Sequence, residues 1–230
     1  MGNMVEKGDI TMKKLICMVL AMLMVCGVAL AVESPSLDGM TGSKVEVENP
    51  DADLTGFYVE PLNEFSVRYG LPEYELLAKI GDVQLEKLMA CEKVTDYFGN
   101  VIVASTGEVR ALIDLFDGVE PLIYEFAPII AGGYHVDFGH VTATLLFATP
   151  YEPGQEVAVL IGVVEDEGYT IEDDLEDMTI TWYAYRGLCV SVPEVEGGEG
   201  IEVVFEPEMM EVLQTKDTLV AIASEEFDFE

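Results

Sequence analysis

An alternation of apolar and polar residues with a period of two runs through the second half of the chain and limits its fold more than any other feature. Residues 141–147, 178–183 and 201–205 show it most clearly. Successive side chains of a strand point to opposite faces, so each segment is typical of a strand with one buried face. Continuous apolar runs at 157–164 and 219–223 indicate central strands. The chain after residue 120 is therefore predicted to fold mainly as β-sheet.

Turn-forming residues separate these strands at the spacing of an antiparallel β-sandwich. The breaks fall at 150–154, 165–177 and 194–200, and a helical turn at 207–213 crosses between the last two strands. Two further strands are predicted at 121–130 and 187–192. The predicted fold class is α+β, with an immunoglobulin-like antiparallel β-sandwich over residues 119–226.

Residues 57–118 have helical spacing instead and predict a small α+β segment ahead of the sandwich. Apolar residues recur near a period of 3.6 in the middle of this segment. Gly81 and Asp82 interrupt the pattern. Because glycine often follows a helix end and aspartate often begins a helix, two short helices are predicted, at 73–80 and 83–93.

A Ser-x-x-Glu spacing at Ser105 and Glu108 is typical of a helix-capping box. A third short helix is therefore predicted after Glu108, ending at Gly118, where glycine favours a stop. The β-branched residues at 100–104 predict a strand between the helical stretches.

The N-terminal part has the features of an export signal. Lys13 and Lys14 precede the uncharged residues 15–31, which end in the small-x-small pattern Ala-Leu-Ala at 29–31. This order is typical of a secretory signal peptide, and we predict that residues 1–31 are removed by cleavage.

Two alternatives to cleavage stay open: residues 15–31 form an uncleaved membrane anchor, or they form a buried apolar helix. Met12 is a second candidate start, in which case residues 1–11 are an extra leader. Residues 32–56 are rich in small and polar residues and predict a solvated, flexible linker.

The net charge excludes two classes of partner. The chain has 44 acidic and 11 basic residues, a formal charge of -33, and removal of the predicted signal with its three lysines and two acids leaves -34. Such a field repels phosphate backbones and anionic headgroups, so neither nucleic acid nor an anionic membrane surface is expected as a partner. Half of the residues are apolar, which excludes simple disorder.

Residues 141–224 resemble a β-sandwich module of exported proteins from anaerobic Gram-positive bacteria. The likeness depends on the turn Ala-Thr-Pro-Tyr-Glu-Pro-Gly at 148–154 and on strand residues at 159–163, 182–184 and 219–221. It implies a sandwich fold and an extracellular location, and it implies no catalytic or ligand-binding residues.

The sequence gives little support to catalysis. A hydrolytic serine or cysteine needs a base, usually histidine, and His135 and His140 are the two histidines of the chain. No Gly-x-Ser-x-Gly and no glycine-rich phosphate loop occur in the sequence, so we predict no catalytic residue and no cofactor other than weakly bound calcium. A glycosidase-like pair of carboxylates is the alternative, because the chain has many acids.

An acidic stretch at residues 165–177 has enough oxygen donors for weak calcium binding. Its acids are Glu165, Asp166, Glu167, Glu172, Asp173, Asp174, Glu176 and Asp177. Their spacing does not match an ordered calcium loop, so a simple acidic surface loop is the alternative.

His135, Asp137 and His140 form a second candidate metal site, because two imidazoles and a carboxylate within six residues can converge on zinc or copper. The alternative is an ordinary solvated connection between strands.

Four aromatic residues are candidates for a ligand-binding platform on the sheet: Tyr151, Trp182, Tyr183 and Tyr185. Such a platform would bind a sugar or a peptide if the rings were exposed. The alternative is that they pack in the core.

Cys91 and Cys189 are the two cysteines that follow the predicted signal. Both a disulfide and two thiols are compatible with the sequence, and we expect thiols because each cysteine lies in an apolar pattern.

These observations predict an exported, non-enzymatic binding or interaction module at the cell envelope or in the medium, with an unknown protein or glycan as its partner. The alternative is an acidic extracellular hydrolase.

Overall fold

A computed structural model of the chain describes residues 44–62, 72–123, 126–146, 152–170, 175–192 and 199–224. These residues belong to one compact unit. The predicted signal peptide lies outside the described residues. Within the described ranges, none of the helices combines the length and the apolar character that crossing a membrane requires.

Eleven strands and four α-helices form in these ranges. The strands are β1 (Lys44–Val47), β2 (Tyr58–Pro61), β3 (Asn100–Val103), β4 (Val109–Ala111), β5 (Leu122–Ile123), β6 (Ala127–Gly132), β7 (Val141–Leu146), β8 (Glu156–Val164), β9 (Ile180–Ser191), β10 (Glu199–Phe205) and β11 (Thr218–Ser224). The helices are α1 (Pro72–Ala90), α2 (Val94–Phe98), α3 (Leu112–Leu115) and α4 (Pro207–Thr215).

Hydrogen bonds join the strands in the order β1-β7-β10-β9-β8-β11-β6-β2. All of these neighbours are antiparallel, whereas β3 lies parallel to β9 and brings β4 with it. The strand β9 is long enough for two neighbours on one side, because its first part pairs with β3 and its second part pairs with β10. The strand β5 extends the sheet beside β11.

The sheet curls so that β2, at one end of the strand order, contacts β7 and β1 near the other end. The curl encloses an inner core, in which one face of β8 packs with residues of β7, β9 and β10. The helix α4 closes this core with Met209, Met210 and Leu213, all of which are buried.

An outer core lies on the opposite face of β8, where α1, α2 and α3 cover the sheet. It contains Ala158 and Leu160, which alternate with inner-core residues of the same strand. Both faces of β8 are therefore buried, which explains its continuous apolar sequence. The rings of Phe98, Phe126 and Trp182 pack against one another in this outer core.

The prediction of a mainly antiparallel β protein with few helices is confirmed. The strands predicted at 157–164, 201–205 and 219–223 match β8, β10 and β11. The immunoglobulin-like arrangement is a more specific claim than a mainly antiparallel β fold, and it stays a prediction.

The helix prediction is wrong at two places. One helix, α1, runs through Gly81 without a break. Glycine stands there because the carbonyl oxygen of Phe126 approaches that residue and leaves no room for a side chain. The short helix predicted between Glu108 and Gly118 forms as α3, but it begins later than predicted, at Leu112. The Ser105 to Glu108 segment does not cap it; this segment connects β3 to β4, and Thr106 Oγ1 accepts a hydrogen bond from the Glu108 amide.

Two predicted boundaries also change. The strands predicted at 178–183 and 187–192 are the single strand β9. The predicted linker over 32–56 contains β1, whose Val45 and Val47 pack against the inner core.

The segment predicted at 57–118 does not stand apart from the sheet. Its strand β2 pairs with β6, and its strand β3 pairs with β9. Helices α1 to α3 cover the same sheet, so the described residues share one fold across the predicted boundary at 118.

Candidate functional site

One part of the outer sheet surface lies beyond the cover of α1, α2 and α3. It consists of the outward side chains of β7, β9 and β10, and we call it the open face. Its residues are Thr142, Thr144, Leu146, Arg186, Leu188, Val190, Glu202 and Val204, of which Thr144 is buried. Their strand neighbours, such as Ala143, Cys189 and Val203, point the other way into the inner core.

The strand register places the open-face residues in adjacent rows. Lys44, Thr144, Glu202, Leu188 and Glu156 are successive partners across five strands. Side chains of directly paired residues lie about 5 Å apart at their Cβ atoms, so this row is continuous.

Aliphatic side chains flank this row on both sides. Leu146 and Val190 are both paired with Gly200, and Val204 follows Glu202 on the same face of β10. Leu188 is 39% exposed and Val204 is 47% exposed, while Leu146 and Val190 are half-buried. Single exposed apolar residues are common on proteins, but neighbouring ones on a sheet face indicate a contact surface.

The charges around the open face are mostly paired. Lys44 Nζ lies 2.8 Å from Glu46 Oε1, and Arg186 Nη1 lies 3.7 Å from Glu156 Oε1. Glu202 is half-buried between Thr144 and Leu188, and its carboxylate has no ion pair or side-chain hydrogen bond with any described residue. The open face therefore combines an aliphatic surface with one unpaired negative charge.

The acidic stretch predicted for calcium binding is held to the residues just before β11 and just before β9. Glu165 Oε2 accepts a hydrogen bond of 2.7 Å from Lys216 Nζ, and this bond lowers the pKa of Glu165. Asp166 Oδ2 accepts one from the Thr179 amide at 2.7 Å. The hydroxyl of Tyr169 donates to Asp217, and burial, followed by this bond, raises the pKa of Tyr169.

A small cleft of about 200 Å³ lies between residues 164–169 and 215–217, lined in part by Asp166, Glu167 and Asp217. Glu172, Asp173 and Asp174 lie outside the described residues. Among the residues that are described, no three histidine, cysteine or acidic side chains are grouped so that they could hold a metal ion. Calcium binding at residues 165–177 stays a prediction.

The two histidines face different carboxylates. His135 Nδ1 lies 3.3 Å from Asp137 Oδ2, and His140 Nδ1 lies 3.0 Å from Glu48 Oε2. The bond from His140 lowers the pKa of Glu48. The contact between His140 and Glu48 thereby joins the start of β7 to the end of β1. Metal binding at His135, Asp137 and His140 stays a prediction.

The predicted aromatic platform does not form from the described residues. Trp182 is buried in the outer core, whereas Tyr185 is buried in the inner core, on the opposite face of β9. Tyr183 is half-buried, and Tyr151 lies outside the described residues. Burial raises the pKa of Tyr185, whose hydroxyl donates to Glu206 Oε2 at 3.0 Å. Core packing is therefore the correct interpretation for Trp182 and Tyr185.

No disulfide joins Cys91 to Cys189. Cys189 is buried in the inner core, whereas Cys91 follows α1, which packs on the outer core. The two residues are thus associated with opposite faces of the sheet.

A single half-buried carboxyl occurs on the edge strand β2. Burial raises the pKa of Glu60, and its carboxylate has no hydrogen bond or ion pair with another described residue. A glycosidase needs two carboxyl groups that face each other across the substrate. Glu60 alone does not supply such a pair.

Sequence reasoning did not identify the open face. The available signal was the apolar character of Leu146, Leu188, Val190 and Val204, because a strand with one buried face normally carries polar residues on its other face. That signal becomes informative only when the register shows which of these residues are neighbours.

In comparisons with protein-family models, curated proteins and solved structures, none of the three gave a match to this chain.

Proposed function

We propose that the protein is an exported, non-enzymatic interaction module that binds another protein through the open face. The observation that carries this proposal is the contiguous surface of Leu146, Leu188, Val190 and Val204, part of which is exposed to solvent. Export is supported by the predicted signal at residues 1–31 and by the resemblance to extracellular sandwich modules.

A protein partner fits this surface better than a glycan partner. Sugar-binding sites commonly stack an exposed aromatic ring on the sugar, whereas Trp182 and Tyr185 are buried. Leu188 and Val204 offer aliphatic contact area instead, which is typical of the buried centre of a protein interface. The immunoglobulin-like character of the scaffold is also part of this proposal.

The proposal is tested by affinity capture from the extracellular fraction of the source cells, using purified variants as matched baits. The open-face bait carries Leu188→Ser with Val204→Ser. The control bait carries Val109→Ser with Val136→Ser, which are 66% and 61% exposed and lie outside the open face. Circular dichroism and melting temperature check that both baits fold.

We expect the wild type and the control bait to retain the same protein and the open-face bait to lose it. Retention by all three baits, or equal loss from both variants, would contradict the proposal. A glycan array probed with the same three proteins provides the other arm, and binding there that survives in the open-face bait would also count against it.

A further inference from the structure

We infer that the partner presents a lysine or arginine side chain, flanked by aliphatic residues, to Glu202 at the centre of the open face. This inference rests on the proposed function and specifies the chemistry of the partner at the same surface.

The position of Glu202 is the first reason. Its direct partners in the register are Thr144 on one side and Leu188 on the other, and neither side chain carries a charge. Lys44 and Arg186, the basic residues nearest in the pattern, each already face another glutamate. A partner that covered Glu202 without supplying a cation would bury an uncompensated charge, which is costly.

The surroundings of Glu202 suit a long basic side chain. Lysine and arginine can lay their methylene groups along an apolar surface while the charged end reaches a carboxylate. Leu188 and Val204 provide such a surface beside Glu202. Arginine is also among the residues that contribute most to the binding energy of protein interfaces.

The charge of the whole chain is the second reason. At -33, the protein attracts cationic partners over a distance and increases their association rate. The same charge repels a second copy of this chain, which would bring equal charge to the face. A basic segment of a different protein is therefore the occupant to which the charge points.

The test uses a displayed library of random twelve-residue peptides, selected on the purified protein. Individual synthetic peptides from the selection are then measured by calorimetry against the wild type and three variants. Glu202→Gln removes the central charge, and Leu188→Ser removes the aliphatic contact. Glu86→Gln is the matched control, because Glu86 is exposed on α1 away from the open face.

We expect enrichment of peptides that combine lysine or arginine with aliphatic residues. Glu202→Gln should weaken their binding about tenfold, as expected for a hydrogen bond to a charged group, whereas Glu86→Gln should change it less than about twofold. Leu188→Ser should weaken the same peptides.

Three results would overturn the inference. Equal weakening by Glu202→Gln and Glu86→Gln would mean that only the total charge attracts the peptides. Peptides that depend on Leu188 but not on Glu202 would contradict the assigned chemistry and leave the proposed function standing. Peptides that depend on neither residue would contradict both.

Discussion

Replacement of Gly81 by alanine sets two physical effects against each other. Gly81 is buried within α1, and an added Cβ atom would lie 2.8 Å from the carbonyl oxygen of Phe126. Alanine is favoured over glycine inside a helix by about 1 kcal/mol, so helix propensity alone predicts stabilisation. The close contact predicts the opposite, because α1 must move away from the residue that precedes β6.

The contact should outweigh the propensity. Inserting a carbon atom into a packed site costs about 1–3 kcal/mol, and the obstructing atom here belongs to the backbone and cannot rotate away. Subtracting the propensity gain leaves a loss of about 1 kcal/mol in the free energy of unfolding. For a domain of this size the melting temperature should fall by about 2–4 °C.

Urea denaturation of the wild type, Gly81→Ala and Asp82→Ala tests this reasoning. Asp82 is the next residue of α1 and is exposed, so Asp82→Ala reports helix propensity without the contact and should stabilise by about 0.5 kcal/mol. If Gly81→Ala were more stable than the wild type by about 1 kcal/mol, with an unchanged denaturant slope, the argument from the Phe126 contact would be refuted.

Four further predictions follow from individual residues. Because burial raises the pKa of Glu60, the folded state disfavours its charged form at neutral pH. Glu60→Gln should therefore raise the melting temperature at pH 7, and the gain should shrink as the pH falls below 4.5, the ordinary pKa of glutamate, because the carboxyl then becomes protonated in the unfolded state as well; a gain that does not vary with pH would contradict this. Thiol labelling of the form that lacks residues 1–31, and with them Cys17 and Cys26, should find one reactive group in the native protein, Cys91, and two after denaturation without reductant, because Cys189 is 2% exposed; finding none after denaturation would reveal a disulfide. N-terminal sequencing of the exported protein should begin at or near Val32, and recovery of a membrane-bound form that retains residues 15–31 would show that the signal anchors the chain. Millimolar calcium should raise the melting temperature only slightly through residues 165–177, and sub-micromolar affinity in calorimetry would indicate an organised site instead.

The strands of the central sheet could be predicted because their information is local. The alternation of apolar and polar residues predicts β10, and a continuous apolar run predicts β8; neither prediction requires knowledge of the strands that pair with them. The sequence of β1 is also alternating, but four residues give too short a pattern to distinguish a strand from a linker. Only its pairing with β7 explains why Val45 and Val47 are covered.

Two glycines show why other boundaries could not be predicted. Gly81 suggests a helix end, and Gly187 lies where two separate strands were expected. In the structure each glycine marks a close approach, since a Cβ atom at Gly187 would lie 2.7 Å from the side chains of Val159 and Ile201. A local pattern cannot distinguish a glycine required by a turn from one required by a neighbour that is distant in sequence.

The candidate site could be predicted only in part, for the same reason. The unusual apolar residues of the open face are visible in the sequence, but the neighbours of Glu202 are set by strand pairing across β7, β9 and β10. The aromatic platform does not form for a different reason, one that is visible in the sequence. Trp182 and Tyr185 are three residues apart on one strand, so alternation places them on opposite faces, in opposite cores.

The strand β9 connects the covered and the uncovered parts of the outer sheet surface. Trp182 and Ala184 lie on its outer face in the core beneath the helices, and Leu188 and Val190 continue the same face beyond them. An exposed Leu188 contributes little to stability, because burial is what stabilises an apolar side chain. In the proposed function a partner continues the layer that α1, α2 and α3 begin, and Glu202 then selects among apolar partners for one that carries a positive charge.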